Sequence, residues 1–295
     1  MENEGIYSSP AHLASESWVD FELRAALNLL GAVEGELKKL KLRVIKERVH
    51  KSRVSLRRWV SVWGFLAEDG WEEKKFKKKV LTPLREFLKE LGELRDCDVN
   101  IETAEKLFCD QSTLDEFKKN RKKLKRRIEQ SLSKMNPPKL VEQIEEYLLA
   151  KAELLRMEMK TGPADDQSAY THFDRYLAAH EEQVKKLSAR ASTAESLHKL
   201  RLAIKKWRYL LTECMGLTNL ELVKAQTLLG EIHDYDRLEP ALEMAGESSG
   251  ALTRLRLERA ALIREFEELK SQLPVGLRPG CISYAQAKVG RSKNT

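Results

Sequence analysis

Val49-His50-Lys51-Ser52-Arg53-Val54-Ser55-Leu56-Arg57-Arg58-Trp59 returns 148 residues later as Leu197-His198-Lys199-Leu200-Arg201-Leu202-Ala203-Ile204-Lys205-Lys206-Trp207. The His, Lys, Arg and Trp are identical, and the two basic pairs are equivalent. A second match, Leu91-Gly92-Glu93-Leu94-Arg95-Asp96-Cys97-Asp98 with Leu229-Gly230-Glu231-Ile232-His233-Asp234-Tyr235-Asp236, is offset by 138 with five of eight positions identical. Two matches in the same order imply a duplicated unit.

The spacing places the basic residues on one helix face. His198, Arg201, Lys205 and Arg208 follow i, i+3, i+7, i+10. In the first half the line is longer and runs through Lys39, Arg43, Lys46, His50, Arg53 and Arg57, a stripe of about 27 Å if the helix is continuous. A solvated helix face normally carries acids at i+4 to offset like-charge repulsion. These lines carry none, and their duplication favours an anion site over a merely solvated face. A histidine among cations is held neutral, and a bound phosphate reverses that bias. The competing reading of His50 and His198 is a neutral core histidine bonded to a facing helix. Trp59 and Trp207 read as core.

The 295 residues carry 53 Lys and Arg against 46 Asp and Glu, a net charge of +7, so the expected partner is an anion. With 34% charged residues and only 14 Gly and 8 Pro, the composition suits long helices and excludes all-β or collagenous chains. No run reaches the roughly 18 to 20 apolar residues of a membrane span. Cys97, Cys109, Cys214 and Cys281 are scattered without a CxxC pair and read as free thiols of a reducing intracellular compartment.

The periodicity predicts an all-α array. From Gly35 to Gly64 nothing breaks the pattern of Leu37, Leu40, Val44, Val49, Leu56, Val60 and Trp63, which predicts one long helix with room for a single break. A helix follows over 71–108, with Pro83 as a kink or as its real start. Others cover 113–133, to a stop at Asn136-Pro137-Pro138, and 139–160. The second half predicts helices near 167–190, 194–215, 219–245 and 251–272. Linker composition at 161–166 sets the domain boundary, giving bundles at 17–160 and 167–272, an N-terminal segment 1–16 and a C-terminal tail 273–295.

The acids of the second motif, Asp96, Asp98, Asp234 and Asp236, suggest a metal dyad, but surrounding basic charge would repel a divalent cation. They read instead as groups that orient the stripe's Arg and His side chains from an adjacent helix, with Gly92 and Gly230 permitting close approach. The run Lys118–Arg127 is basic all round and reads equally as plain surface or as a nuclear-localisation tract.

The His-x-x-Arg-x-x-x-basic-basic pattern joined to Leu-Gly-x-x-Arg/His-Asp-x-Asp resembles the conserved-histidine α-helical domain, the CHAD family, over residues 17 to 272. The resemblance implies two pseudo-symmetric antiparallel four-helix bundles around a basic central channel or groove. It also implies non-catalytic binding of inorganic polyphosphate. The implied ligands are His50, Arg53, Arg57, Arg58, His198, Arg201, Lys205, Lys206 and Arg208, with Arg43, Lys46 and Arg95 as extensions. The second half has Leu187, Ala191 and Ala194 in place of Lys39, Arg43 and Lys46, so binding is expected to be lopsided. No Glu-x-Glu-x-Lys signature of a fused triphosphate-tunnel domain occurs.

The sequence therefore points to a polyphosphate-binding module with neither cofactor nor metal, cytoplasmic or nuclear, with polyphosphate-rich bodies as a further location. One rival is an RNA- or DNA-binding protein using the same stripes, although no aromatic residues interleave them as a base-stacking platform. A polyphosphate-processing enzyme is a weaker rival, since there is no GxxxxGK[ST] loop and no isolated acidic cluster for Mg²⁺. An acidic-lipid surface is the last.

Overall fold

The computed structural model describes residues 16–159, 168–247, 249–274 and 276–277. The expected linker at 161–166, Cys281 and most of the expected terminal segments lie outside the described residues. Among those described there is no strand, only an isolated bridge between Ser17 and Ser168, and the protein is all-α.

The first half comprises α1 (Trp18–Asn28), α2 (Leu30–Leu42), α3 (Lys46–Leu66), α4 (Thr82–Lys106), α5 (Gln111–Lys134) and α6 (Pro137–Met159); the second comprises α7 (Ala169–Arg190), α8 (Ala194–Met215), α9 (Leu220–Met244) and α10 (Ser249–Lys270). The order of neighbours is the same in both halves. In the first, α3 packs on α2 and α4, and α4 on α5. In the second, α8 packs on α7 and α9, and α9 on α10. The halves meet chiefly where α3 lies against α8, with a smaller contact between α4 and α9.

The long helix expected through residue 43 is interrupted. Arg43 is extended, at φ -161° and ψ 119°, and Lys46 begins a new helix. The chain doubles back there, so that the Ser52 hydroxyl donates to the Glu36 carbonyl at 3.0 Å and Arg48 to the Lys39 carbonyl at 2.8 Å. The continuous stripe from Lys39 to Arg57 does not exist: Lys39 belongs to α2, where it pairs with Glu36 at 2.7 Å. Val44 and Ile45, both β-branched and poor in helix propensity, occupy the bend, and Val44 is buried there.

Prolines set two other boundaries. Pro83 stands in the first turn of α4, after a π-helical turn at Lys77–Leu81 that is itself entered from a short helix at Lys74–Phe76. A proline lacks the N–H that would continue the ladder, and a π turn accommodates the loss. Pro137 and Pro138 open α6 rather than precede it, in keeping with proline's preference for the first helical turn.

Trp59 and Trp207 are fully buried, as expected. The main core continues through both halves. At their junction Phe65 meets Phe173 at 5.3 Å and Tyr176 at 4.7 Å between ring centroids, and Phe21 meets Phe173 at 5.1 Å. The Tyr176 hydroxyl donates to the Gly64 carbonyl at 3.1 Å. A second, smaller core joins the far ends of α4 and α9, from Leu107 and Phe117 to Leu238 and Leu255. No helix among the described residues is long and apolar enough to cross a membrane.

Candidate anion-binding site

The α3–α8 contact brings the two copies of the basic motif together. Lys205 on α8 lies within electrostatic reach of Arg53 and Arg57 on α3 as well as Arg201 and Arg208 on its own helix. Burial is the main cause of its lowered pKa and those four cations add to it, bringing the ammonium down to about 6. Arg53, too, is lowered, first by burial and then by Arg57 and Arg201, to about 10. Arg57 and Arg201 shift the same way, with burial the largest cause.

These groups are gathered at the surface of the core. Arg53, Arg57, Arg95, Arg201 and Lys205 are all half-buried. Several of their donors are shut away from solvent and have no hydrogen-bond partner among the described residues: Arg53 Nε, Arg57 Nη1, Arg95 Nη1, Arg201 Nε and His198 Nδ1. A buried donor left unmade costs roughly 1–3 kcal/mol, more when charged. Arginine also presents a planar fork that suits phosphate oxygens. Unsatisfied, mutually repelling cations of this kind form a basin arranged for an anion.

The second motif supplies the floor. Gly92 on α4 underlies Arg53, whose Nε would stand 3.7 Å from a Cβ placed there, and Gly230 on α9 underlies Arg201 at 3.8 Å. The close approach expected at these glycines is thus to an arginine side chain. His50, which is exposed, lies within reach of Arg95. In the other half His198 is half-buried and its ring centroid lies 4.2 Å from that of His233. Neither His50 nor His198 is a core residue, so the core-histidine reading does not hold. Burial, followed by nearby arginines, holds both below the usual imidazole range. His233 falls further, to about 3, from burial, Arg201 and His198.

The acids divide by helical geometry. Residues two apart point about 200° apart around a helix, and the two carboxylates of each motif face opposite ways. Asp98 is nearly inaccessible and accepts from Arg121 on α5 at 2.5 Å; Asp236 accepts from Arg259 on α10, also at 2.5 Å. These outer acids tie the motif helix to its neighbour and do not orient the stripe. Asp96 turns inward, where it pairs with Arg237 of the other half at 2.6 Å and lies within reach of Arg53, Arg57 and Arg201. Asp234 is inward as well, within reach of Arg201, Asp96, Arg237 and Arg95.

Other expected ligands lie apart from this centre. Arg58 pairs with Glu213 at 3.2 Å. Lys206 is directed at the junction, with its Nζ 3.8 Å from the Cβ position of Gly64 and 5.1 Å from the Tyr176 ring centroid. Arg208 donates to Gln226 at 2.8 Å and lies over Tyr209. Arg43 is in the bend and Lys46 pairs with Glu102, a partner the α3 sequence alone could not reveal. His233, Asp96, Arg237 and the buried Tyr209 join the basin without belonging to the expected ligand set. Only His233 had a signal, its position equivalent to Arg95. Much of the basic run on α5 is committed to acids: Lys118 to Glu105, Arg121 to Asp98, Lys125 to Glu129 and Arg127 to Glu93.

Fold and site together define an all-α domain with a cationic basin between duplicated helices. The family profile described as CHAD domain matches residues 23–243, and the chain belongs to that family. Among solved structures it is similar to one described as the CHAD domain from the plant Ricinus communis, with 19% identity, a TM-score of 0.65 and coverage of 98% of this chain and 95% of that one. It is also similar to PptA from Streptomyces chartreusis, at 14% identity and a TM-score of 0.54, over 86% of this chain and 97% of that one. No curated protein matches it.

Proposed function

We propose that this protein binds inorganic polyphosphate, without chemistry of its own, in the basin between α3 and α8. The observation that carries the reading is the set of buried guanidinium donors, contributed by both halves, that have no partner among the described residues. A linear polyanion supplies closely spaced phosphate oxygens to such donors and releases the counterions they hold. Arg53, Arg57, Arg95, Arg201 and Lys205 form the centre, with His50, His198 and Arg208 around it. Arg43, Lys46, Arg58 and Lys206 are outer positions that a long chain reaches only by exchanging partners or extending past the centre.

The basin is less suited to nucleic acid. Its aromatic member, Tyr209, is buried beneath Lys205 and Arg208 and offers no face for a base to stack on. Phosphoryl transfer is disfavoured because a divalent cation beside Asp96 or Asp234 would sit among arginines that repel it. The test is a competition titration at fixed salt. Long-chain polyphosphate should displace a bound labelled oligonucleotide at much lower phosphate concentration than unlabelled RNA or DNA does, and should release no orthophosphate in the presence of Mg²⁺ or Mn²⁺. The reverse order of displacement, or phosphate release, overturns the reading.

A further inference from the structure

Two carboxylates stand inside a basin of cations. Asp96 lies within reach of Arg53, Arg57 and Arg201, and pairs with Arg237 at 2.6 Å, joining α4 of one half to α9 of the other. Asp234 lies between Arg201, Arg237 and Arg95, close enough to Asp96 for the two charges to oppose each other. Their neighbours two positions on are engaged differently. Asp98 is 3% exposed and bound to Arg121, whereas the Asp96 and Arg237 side chains are 28% and 35% exposed. A ligand can therefore reach the Asp96–Arg237 pair, and an ion pair that open is held by about 1 kcal/mol or less.

Resting on the polyphosphate reading, we propose that Asp96 and Asp234 are built-in counter-ions of the basin, which occupy its arginines in the free protein and which an incoming polyanion must displace. The geometry separates this role from that of an orienting acid. An acid that positions an arginine for a ligand binds the edge of the guanidinium facing away from the ligand, as Asp98 does for Arg121 by approaching from outside the basin. Asp96 and Asp234 approach from within it, on the side where the unpartnered donors of Arg53, Arg57 and Arg201 are gathered. Both carboxylates also feel the repulsion of any phosphate that enters. They therefore hold the free basin together and raise the charge density a ligand needs before it can enter, which selects chains of phosphates over single ones.

The experiment is calorimetric titration of the wild type, Asp96→Asn and Asp234→Asn with long-chain polyphosphate and with tripolyphosphate, at several salt concentrations. Each variant should bind at least threefold more tightly than the wild type. The dependence of log affinity on log salt should steepen by about one unit, because one more arginine then gives up a mobile counterion on binding. The free variants should melt at lower temperature and recover on adding polyphosphate. Wild-type affinity that is undetectable defeats the polyphosphate reading and this inference with it. If the wild type binds but the variants bind equally or more weakly with an unchanged slope, the carboxylates are orienting groups and this inference alone fails. A variant that stays unfolded even with polyphosphate present overturns it as well, since a displaceable counter-ion is dispensable in the complex.

Discussion

The Nε of Arg201 stands 3.8 Å from the point a Cβ on Gly230 would occupy, and the same relation joins Arg53 to Gly92 at 3.7 Å. Those distances are ordinary van der Waals contact, so the glycines leave space for a flat guanidinium rather than for a helix backbone. Gly92→Ala and Gly230→Ala should fold normally and gain up to about 1 kcal/mol from helix propensity. Gly230→Leu should push Arg201 out of place and weaken polyphosphate binding tenfold or more while the far-ultraviolet circular dichroism stays unchanged. A Gly→Ala variant that melts earlier would show that the helices themselves touch.

Arg53→Ala and Arg201→Ala should each weaken polyphosphate binding by roughly 1.5–3 kcal/mol, the worth of a charge-assisted hydrogen bond. Both should stabilise the free protein, because each removes a half-buried cation whose Nε has no partner. Thermal melts with and without ligand separate the two effects, and a loss of free-state stability would mark these arginines as structural.

Lys205 gives the site a pH signature. The unfolded chain keeps its ammonium proton to about pH 10.4, whereas the folded protein releases it near about 6. The unfolded state thus holds more protons between those values, so this group makes the free protein more stable as pH rises from about 6 towards 10. Lys205→Met should flatten that rise. A polyanion favours the charged ammonium, so binding at pH 8 should take up protons, read as a dependence of the binding enthalpy on the ionisation enthalpy of the buffer. Proton release would contradict the placement of Lys205.

Arg121→Ala should act on stability rather than on binding. It leaves Asp98 almost wholly buried with no cation beside it, a loss of about 3 kcal/mol or more. Chemical denaturation should show the loss at neutral pH. Polyphosphate affinity per folded molecule should stay within twofold of the wild type, and a large drop would place Asp98 in the basin after all.

How much of this the sequence made legible depended on whether a feature was local. The duplicated His50–Trp59 and His198–Trp207 faces, the burial of both tryptophans and the all-α class follow from spacing within single helices. The break at Arg43 does not. Leu40 and Val44 keep the four-residue step across it, and no Gly or Pro marks it; only the β-branched pair Val44-Ile45 hinted at weak helix. The partners of Lys46 and Arg58 come from α4 and α8, and Asp96 meets an arginine distant in sequence. Such pairings depend on how α3 crosses α8 and α4 meets α9, which no one-dimensional pattern encodes.

The aromatic junction of Phe21, Phe65, Phe173 and Tyr176 has a mechanical meaning beside so many like charges. Repulsion between the guanidinium groups of the two halves tends to prise α3 from α8, and that ring cluster is the rivet resisting it. Ordinary salt loosens proteins that rely on surface ion pairs; here, screening should tighten the molecule instead, and sulfate should do so more than chloride.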